Sequence, residues 1–150
     1  MCIRDRGTTD KTLDLSLKGR LGLVIDGTGR DYDKIKSQKS MLDQLGYDCY
    51  MIFVNTSLDV ALERNRRRER TVPEYITKQS WTKVQSNIGK FQSLFGMDSM
   101  IIVDNSKDDR ELTTITMGKV DKAVRKLLRN KVKSYTAKRW MASERKARRR

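Results

Sequence analysis

The first place in this chain where chemistry could be done is an acid set between an apolar run and two glycines, Leu21-Gly-Leu-Val-Ile-Asp-Gly-Thr-Gly29. A buried parallel strand ending in this way delivers a carboxylate to the mouth of an α/β sheet, where such sheets bind ligands. Asp26 could hold Mg2+ through water, or take the proton of an attacking hydroxyl. Gly27 and Gly29 permit a tight turn with its amides open to an anion, and Thr28 adds a hydroxyl. Thr28 and Arg30 are assigned to substrate. The plainer alternative is an acid-containing turn that caps the helix after it.

The second place is Arg64-Asn-Arg-Arg-Arg-Glu-Arg70, closed by Thr71-Val72-Pro73. On a helix, Arg64 and Arg68 share a face, as do Arg66 and Arg70. Each such like-charge pair costs an isolated helix roughly 0.2–0.5 kcal/mol. A site that grips triphosphate oxygens offsets that cost, because arginine forks match phosphate. A solvated basic face is the alternative. A strand-end acid together with a movable arginine cluster is the equipment of phosphoryl transfer. No Gly-x-x-x-x-Gly-Lys-Ser/Thr phosphate loop occurs in these 150 residues.

Positioning these groups calls for alternating elements. Leu21 to Ile25, Cys49 to Val54 and Met100 to Val103 read as short buried strands. Asp31 to Leu45 carries Ile35, Gln38, Leu42 and Leu45 at helical spacing, with Gly46 as its C-terminal cap. Asp31 and Asp33 favour that helix's N-terminus. Asn55-Thr56-Ser57 offers N-caps for a helix that runs into the arginine cluster. Pro73 opens a helix to about Phe95, with Trp81, Val84, Ile88, Phe91 and Phe95 as its packing stripe. Residues 9 to 18 read as the end of a helix and 106 to 116 as a loop. A last helix begins near Lys119, with Val120, Val124, Leu127, Leu128 and Val132 inside. The pattern implies parallel β-α-β units in a three-layer α/β fold. Three strands are few for such a sheet, and a further one is expected upstream.

Residues Met1-Cys-Ile-Arg-Asp-Arg6 match the translation of a transposon-end sequencing adaptor, so the chain is read as a piece of a longer, metagenome-assembled protein. The expected organisation is residues 1–6 from the adaptor, 7–133 as a truncated domain, and 134–150 as a basic tail.

Composition narrows the chemistry. There is no histidine, which removes the usual neutral-pH acid/base and the commonest zinc ligand. Of two cysteines, Cys2 lies in the adaptor-like leader and Cys49 in an expected strand. No disulfide framework is possible, and a reducing cytoplasm fits. Apolar runs are too short to span a membrane. The net charge of +14 is uneven: residues 119–150 hold 14 Lys/Arg against 2 acids and so carry +12 of it. Such a segment suits nucleic acid through counterion release, or is merely solvated.

Taken together, Val24-Ile-Asp-Gly-Thr28, Tyr50-Met-Ile-Phe-Val-Asn55 and Ala61-Leu-Glu-Arg-Asn-x-x-Arg-x-Arg-x-Val-Pro73 resemble the second half of P-loop kinases. The nearest branch is the zeta-toxin and polynucleotide-kinase-like group, in the versions that large tailed bacteriophages carry. The resemblance covers roughly residues 20 to 105. It implies a P-loop NTPase fold, incomplete here, lacking the first strand, phosphate loop and first helix. It also implies ATP and Mg2+ as cofactors. By this resemblance Asp26 stands near the metal and the acceptor hydroxyl. Arg64, Arg68 and Arg70 are lid arginines that close over ATP, and Asn105 lies near the adenine. The implied activity of the complete protein is transfer of the ATP γ-phosphoryl to a hydroxyl of a nucleotide, a nucleic-acid end or a small metabolite, with this piece inactive alone. An ATPase or nucleotide-binding module, and a basic nucleic-acid-binding protein on an α/β scaffold, remain the rivals.

Overall fold

The computed structural model describes residues 3–107 and 110–149. Helix α1 (Ile3–Lys18) leads into an extended segment, then α2 (Tyr32–Gln44) and strand β1 (Met51–Asn55). Two helices follow, α3 (Leu58–Arg66) and α4 (Glu74–Phe95), then strand β2 (Met100–Asp104), α5 (Arg110–Leu128) and α6 (Tyr135–Ala147). Among the described residues the sheet has two parallel strands, in register from Met51 opposite Met100 to Asn55 opposite Asp104.

Side chains alternate across a strand, so β1 has two unlike faces. Phe53 turns toward α4 and is buried with Leu42, Leu62 and Phe91, whereas Val103, paired with Val54, is buried on the other face of the sheet. Phe91 is completely enclosed, with the rings of Tyr32 at 5.6 Å and Phe53 at 6.4 Å. Burying one such ring stabilises the fold by roughly 2–3 kcal/mol. Trp81, Val84, Ile88 and Phe95 share the inward stripe of α4, as their spacing requires. The opposite face of β1 stays open: Ile52 is 43% and Val54 56% exposed.

Leu21 to Ile25 does not form the expected strand. The segment is extended but joins no strand among the described residues, and Val24 is 101% exposed. An apolar run becomes a strand only when a neighbour takes up its N–H and C=O groups. This run is held at its ends instead. Tyr47 Oη donates to the Leu21 carbonyl at 3.2 Å, and Asn87 holds Gly29 and Arg30.

Helix ends follow their caps. Asp31 accepts from the Lys34 amide at 3.0 Å to start α2, and Ser57 accepts from Val60 to start α3. Gly46, at φ +95°, ends α2: its N–H reaches Asp43 O and that of Tyr47 reaches Leu42 O. The expected loop over 106–116 is corrected, since α5 already starts at Arg110. Leu128, expected inside, is 79% exposed because α5 ends there, past the sheet it covers.

Within the residues read as a basic tail, Tyr135–Ala147 form helix α6, which rests on the body. Ser134 caps α6 by accepting from Ala137, and Asp48 accepts from the Lys133 amide at 3.2 Å. A Cβ on Gly46 would lie 2.9 Å from Ala137 N, so only glycine lets the start of α6 sit this close. Arg20, at φ +54°, donates to the Leu45 carbonyl and lies over the Trp140 ring at 5.7 Å, tying α1, α2 and α6 together.

Cys49 precedes β1, half buried. Burial first, and then the Asp43 carboxylate, push its thiol up to about 11. At pH 8 its thiolate fraction should be about 100-fold below that of an ordinary cysteine, so iodoacetamide should modify it about 100-fold more slowly than the same residue in urea. A raised acid pKa makes the unfolded chain release its proton first. The stability it contributes is therefore whole below about pH 8.5 and is lost as pH climbs toward 11. Alkylation as fast as in urea would contradict this burial.

Candidate functional site

Both strands point their carboxyl ends the same way, so the residues after them share one edge. Asn105 N–H donates to Asn55 O at 2.8 Å and prolongs the ladder by one step. Ser106 binds the Asp104 carboxylate, through its hydroxyl and then through its amide at 3.0 Å, and holds it below the ordinary aspartate range. Ser106 Oγ also accepts from the Ser57 amide at 2.9 Å, joining the two strand exits. Beside this edge lies a cleft of about 400 Å3 between the open face of β1 and α5. Its wall is Ile52, Val54, Val103 and Met117, and its rim carries Asn105 and Lys107. An apolar slot with a carboxamide at its mouth suits a flat heterocycle.

Helix α4 fixes everything else relative to this edge. Trp81 Nε1 donates to Thr56 O at 2.8 Å, and Gln85 Nε2 donates to Asn55 Oδ1 at 2.7 Å. The strand exit therefore lies level with residues 81–85. The seven residues from Glu74 to Ser80 rise about 10 Å beyond it. The connection from α3 to α4 thus stands above the carboxyl edge, where a lid would be.

That connection is closed by a residue the sequence reading passed over. Asn65 is buried, donates from Nδ2 to Val72 O at 2.6 Å, and accepts at Oδ1 from Val72 N at 3.0 Å. The staple folds residues 66–71 into a tight tip. It also corrects the expected helix: α3 stops at Arg66, so Arg68 and Arg70 share no helical face with Arg64 and Arg66. Continuing the helix would stack four arginines, whereas the tip separates them. Arg66 pairs with Glu74 at 2.6 Å, and Arg67 pairs with Glu63. Arg64 is half-buried on the last turn of α3. Arg68 and Arg70 are exposed and have no ion-pair partner among the described residues.

The Asp26 turn sits lower on α4. Asn87, also buried, donates from Nδ2 to the Gly29 and Arg30 carbonyls, both at 3.1 Å. Gly29 takes φ +71° and presses against Phe53, Phe91 and Val84. Arg30 Nη1 reaches up to Ser80 Oγ at 3.3 Å. Asp26 and Thr28 are exposed and make no hydrogen bond or ion pair among the described residues. The structure so brings Arg30 to α4 and α4 to the sheet edge, but places no contact between Asp26 and Arg64, Arg68 or Arg70. Asn65 had little sequence signal. Gln85 and Asn87 had one: both stand next to core positions of the Trp81–Phe95 stripe, where a polar group must find a partner.

Among the described residues no three His, Cys, Asp or Glu side chains gather as a metal cage, and no helix is long and apolar enough to cross a membrane. A Mg2+ that arrives with nucleotide phosphates needs only one or two carboxylates. Unpaired Asp26 fits that limited role.

Compared with protein-family models, residues 6–114 match the one described as Zeta toxin. The chain belongs to the zeta toxin family. It matches no curated protein and no solved structure at a significant level. The zeta toxin family is P-loop kinase-like, which implies nucleotide binding, an ATP-dependent kinase-like function and an α/β P-loop NTPase fold. Kinases of this kind generally use ATP and Mg2+. The two-stranded parallel sheet flanked by helices is consistent with part of that fold. The match takes in the Asp26 turn, the arginine tip and the strand exits, and stops before α6.

Proposed function

We propose that this zeta toxin-family chain is the C-terminal part of an ATP-dependent phosphotransferase that moves the γ-phosphoryl of ATP to a hydroxyl on a nucleotide, a nucleic-acid end or a small metabolite. The observation that carries the reading is the arginine tip. Two arginines without carboxylate partners, Arg68 and Arg70, stand over the carboxyl edge, while their neighbours Arg66 and Arg67 are neutralised by Glu74 and Glu63. Within this tip, the charge left without a carboxylate is on the two residues best placed to meet a triphosphate.

In this reading Arg68 and Arg70, with Arg64 behind them, stabilise charge on the transferred group. Asn105 and the apolar slot take the base, and Thr28 and Arg30 orient the acceptor. Asp26 faces the hydroxyl, accepts its proton and offers the metal one oxygen. ATP with its Mg2+ supplies the phosphoryl group. The loop that cradles its β- and γ-phosphates belongs to a segment upstream of these 150 residues, without which the chain does not turn over ATP.

The test is the affinity of the full-length protein for ATP and for AMP after Arg68→Ala and Arg70→Ala together. Losing two charge-assisted contacts should weaken ATP binding by about 10- to 100-fold and AMP binding by less than about twofold. Equal losses for both nucleotides, or none, would remove the lid role.

A further inference from the structure

Helix α6 lies outside the family match and takes no part in the site above. It is tied to the body by Asp48 at the Lys133 amide, by Gly46 beneath its first turn, and by Arg20 on Trp140. Its half-buried side is Ala137, Met141 and Glu144. On the outer side, Lys138, Arg139, Arg145 and Lys146 are exposed, followed by Arg149 just past the helix end. None of these five has an ion-pair partner among the described residues. Positions 138, 139, 145 and 146 fall along one stripe of the helix, and Arg149 follows in the turn after it. The helical part is about 12 Å long, the reach of about three to four phosphates along one strand of a duplex.

Uncompensated like charges weaken a helix, so a docked helix that keeps them implies a polyanion to receive them. Two kinds of polyanion could do so, and the outer side decides between them. A helix that lies on a membrane inserts an apolar face. Here Ala137 and Met141 are half-buried on the inner side and Trp140 lies under Arg20, so against five cations the outward side sets one aromatic, the exposed Tyr135 on the first turn, which is too little for an apolar face to insert. Three of its five cations are arginine, whose fork suits phosphate oxygens.

We infer that α6 is a binding surface for the phosphate backbone of nucleic acid. It lies on the turn before β1, at the amino end of the strands, whereas the nucleotide edge is at their carboxyl end. The two surfaces are separate, and this inference stands independently of the phosphotransferase reading. Contacts of this type carry no base specificity and are strongly salt-dependent.

The experiment measures binding of the whole chain to a labelled 20-base-pair DNA duplex by fluorescence anisotropy across a salt series. Lys138→Gln, Arg139→Gln, Arg145→Gln and Lys146→Gln together should weaken binding at least about 30-fold in 100 mM salt and make the log–log salt slope shallower by about three to four. A control with Lys34, Lys36, Lys78 and Lys83 changed to Gln, equal in charge and exposed, should lose less than about threefold. Arg145→Gln alone should lose about three- to fivefold, which serves if the quadruple variant does not fold. Equal losses in variant and control would mean net charge rather than α6 is responsible, and would overturn the proposal. So would no duplex binding, including the case in which the chain binds only phosphatidylserine vesicles.

Discussion

Asp26→Asn in the full-length protein should cut phosphoryl transfer by about 100-fold or more and leave ATP affinity within about twofold. Removing a positioned general base typically costs about 10²–10⁴ in rate. The substitution is nearly isosteric, and Asp26 makes no hydrogen bond or ion pair among the described residues, so the loss cannot be ascribed to unfolding. The separation of turnover from affinity is the informative part. A residue that only bound Mg-ATP would lower both, whereas one that acts on the acceptor proton lowers turnover alone. Unchanged turnover, measured as release of ADP with acceptor present, would strip Asp26 of its role.

The second large effect concerns the lid's foundation. Asn65→Ala deletes two hydrogen bonds that join buried Asn65 to the backbone of Val72, itself 40% exposed. The cost should be about 1–3 kcal/mol, from two lost bonds whose backbone partners water can in part satisfy. It should appear as a fall in thermal stability and as faster hydrogen exchange of the Val72 amide. Asn65→Asp sharpens the test, because its carboxylate can still accept from Val72 N–H but would face the Val72 carbonyl with an oxygen. It should therefore be no better than alanine above pH 6 and recover partly when protonated near pH 4. Wild-type stability in both variants would show that the tip is not held by this side chain.

Much of the scaffold was legible because it depends on local spacing. The stripe from Trp81 to Phe95, the Gly46 cap and the Asp31 and Ser57 caps are each written within a few residues, and the structure has them where expected. Elements that depend on distant partners were less legible. Leu21 to Ile25 has the composition of a buried strand but finds no ladder partner, so composition alone misled. The helix inside the basic tail was illegible for a related reason: what holds it, Gly46 and Arg20, lies about ninety or more residues earlier in the chain. Of the candidate site, the arginine cluster could be seen as a cluster but not as two neutralised and two free side chains. That division is made by Glu63 and Glu74, which read as ordinary surface acids. Asp26 and Asn105 could be placed at turns from sequence, but nothing local linked them. The link is α4, through Asn87, Gln85 and Trp81.

If these residues complete a P-loop phosphotransferase, the coding DNA upstream of Thr8 should hold an in-frame strand followed by Gly-x-x-x-x-Gly-Lys-Ser/Thr and a helix, the loop that Arg68, Arg70 and Asp26 would face across the nucleotide. A native start codon immediately before this region, with no such loop, would contradict it and leave the arginine tip as a surface for some other phosphate-rich partner.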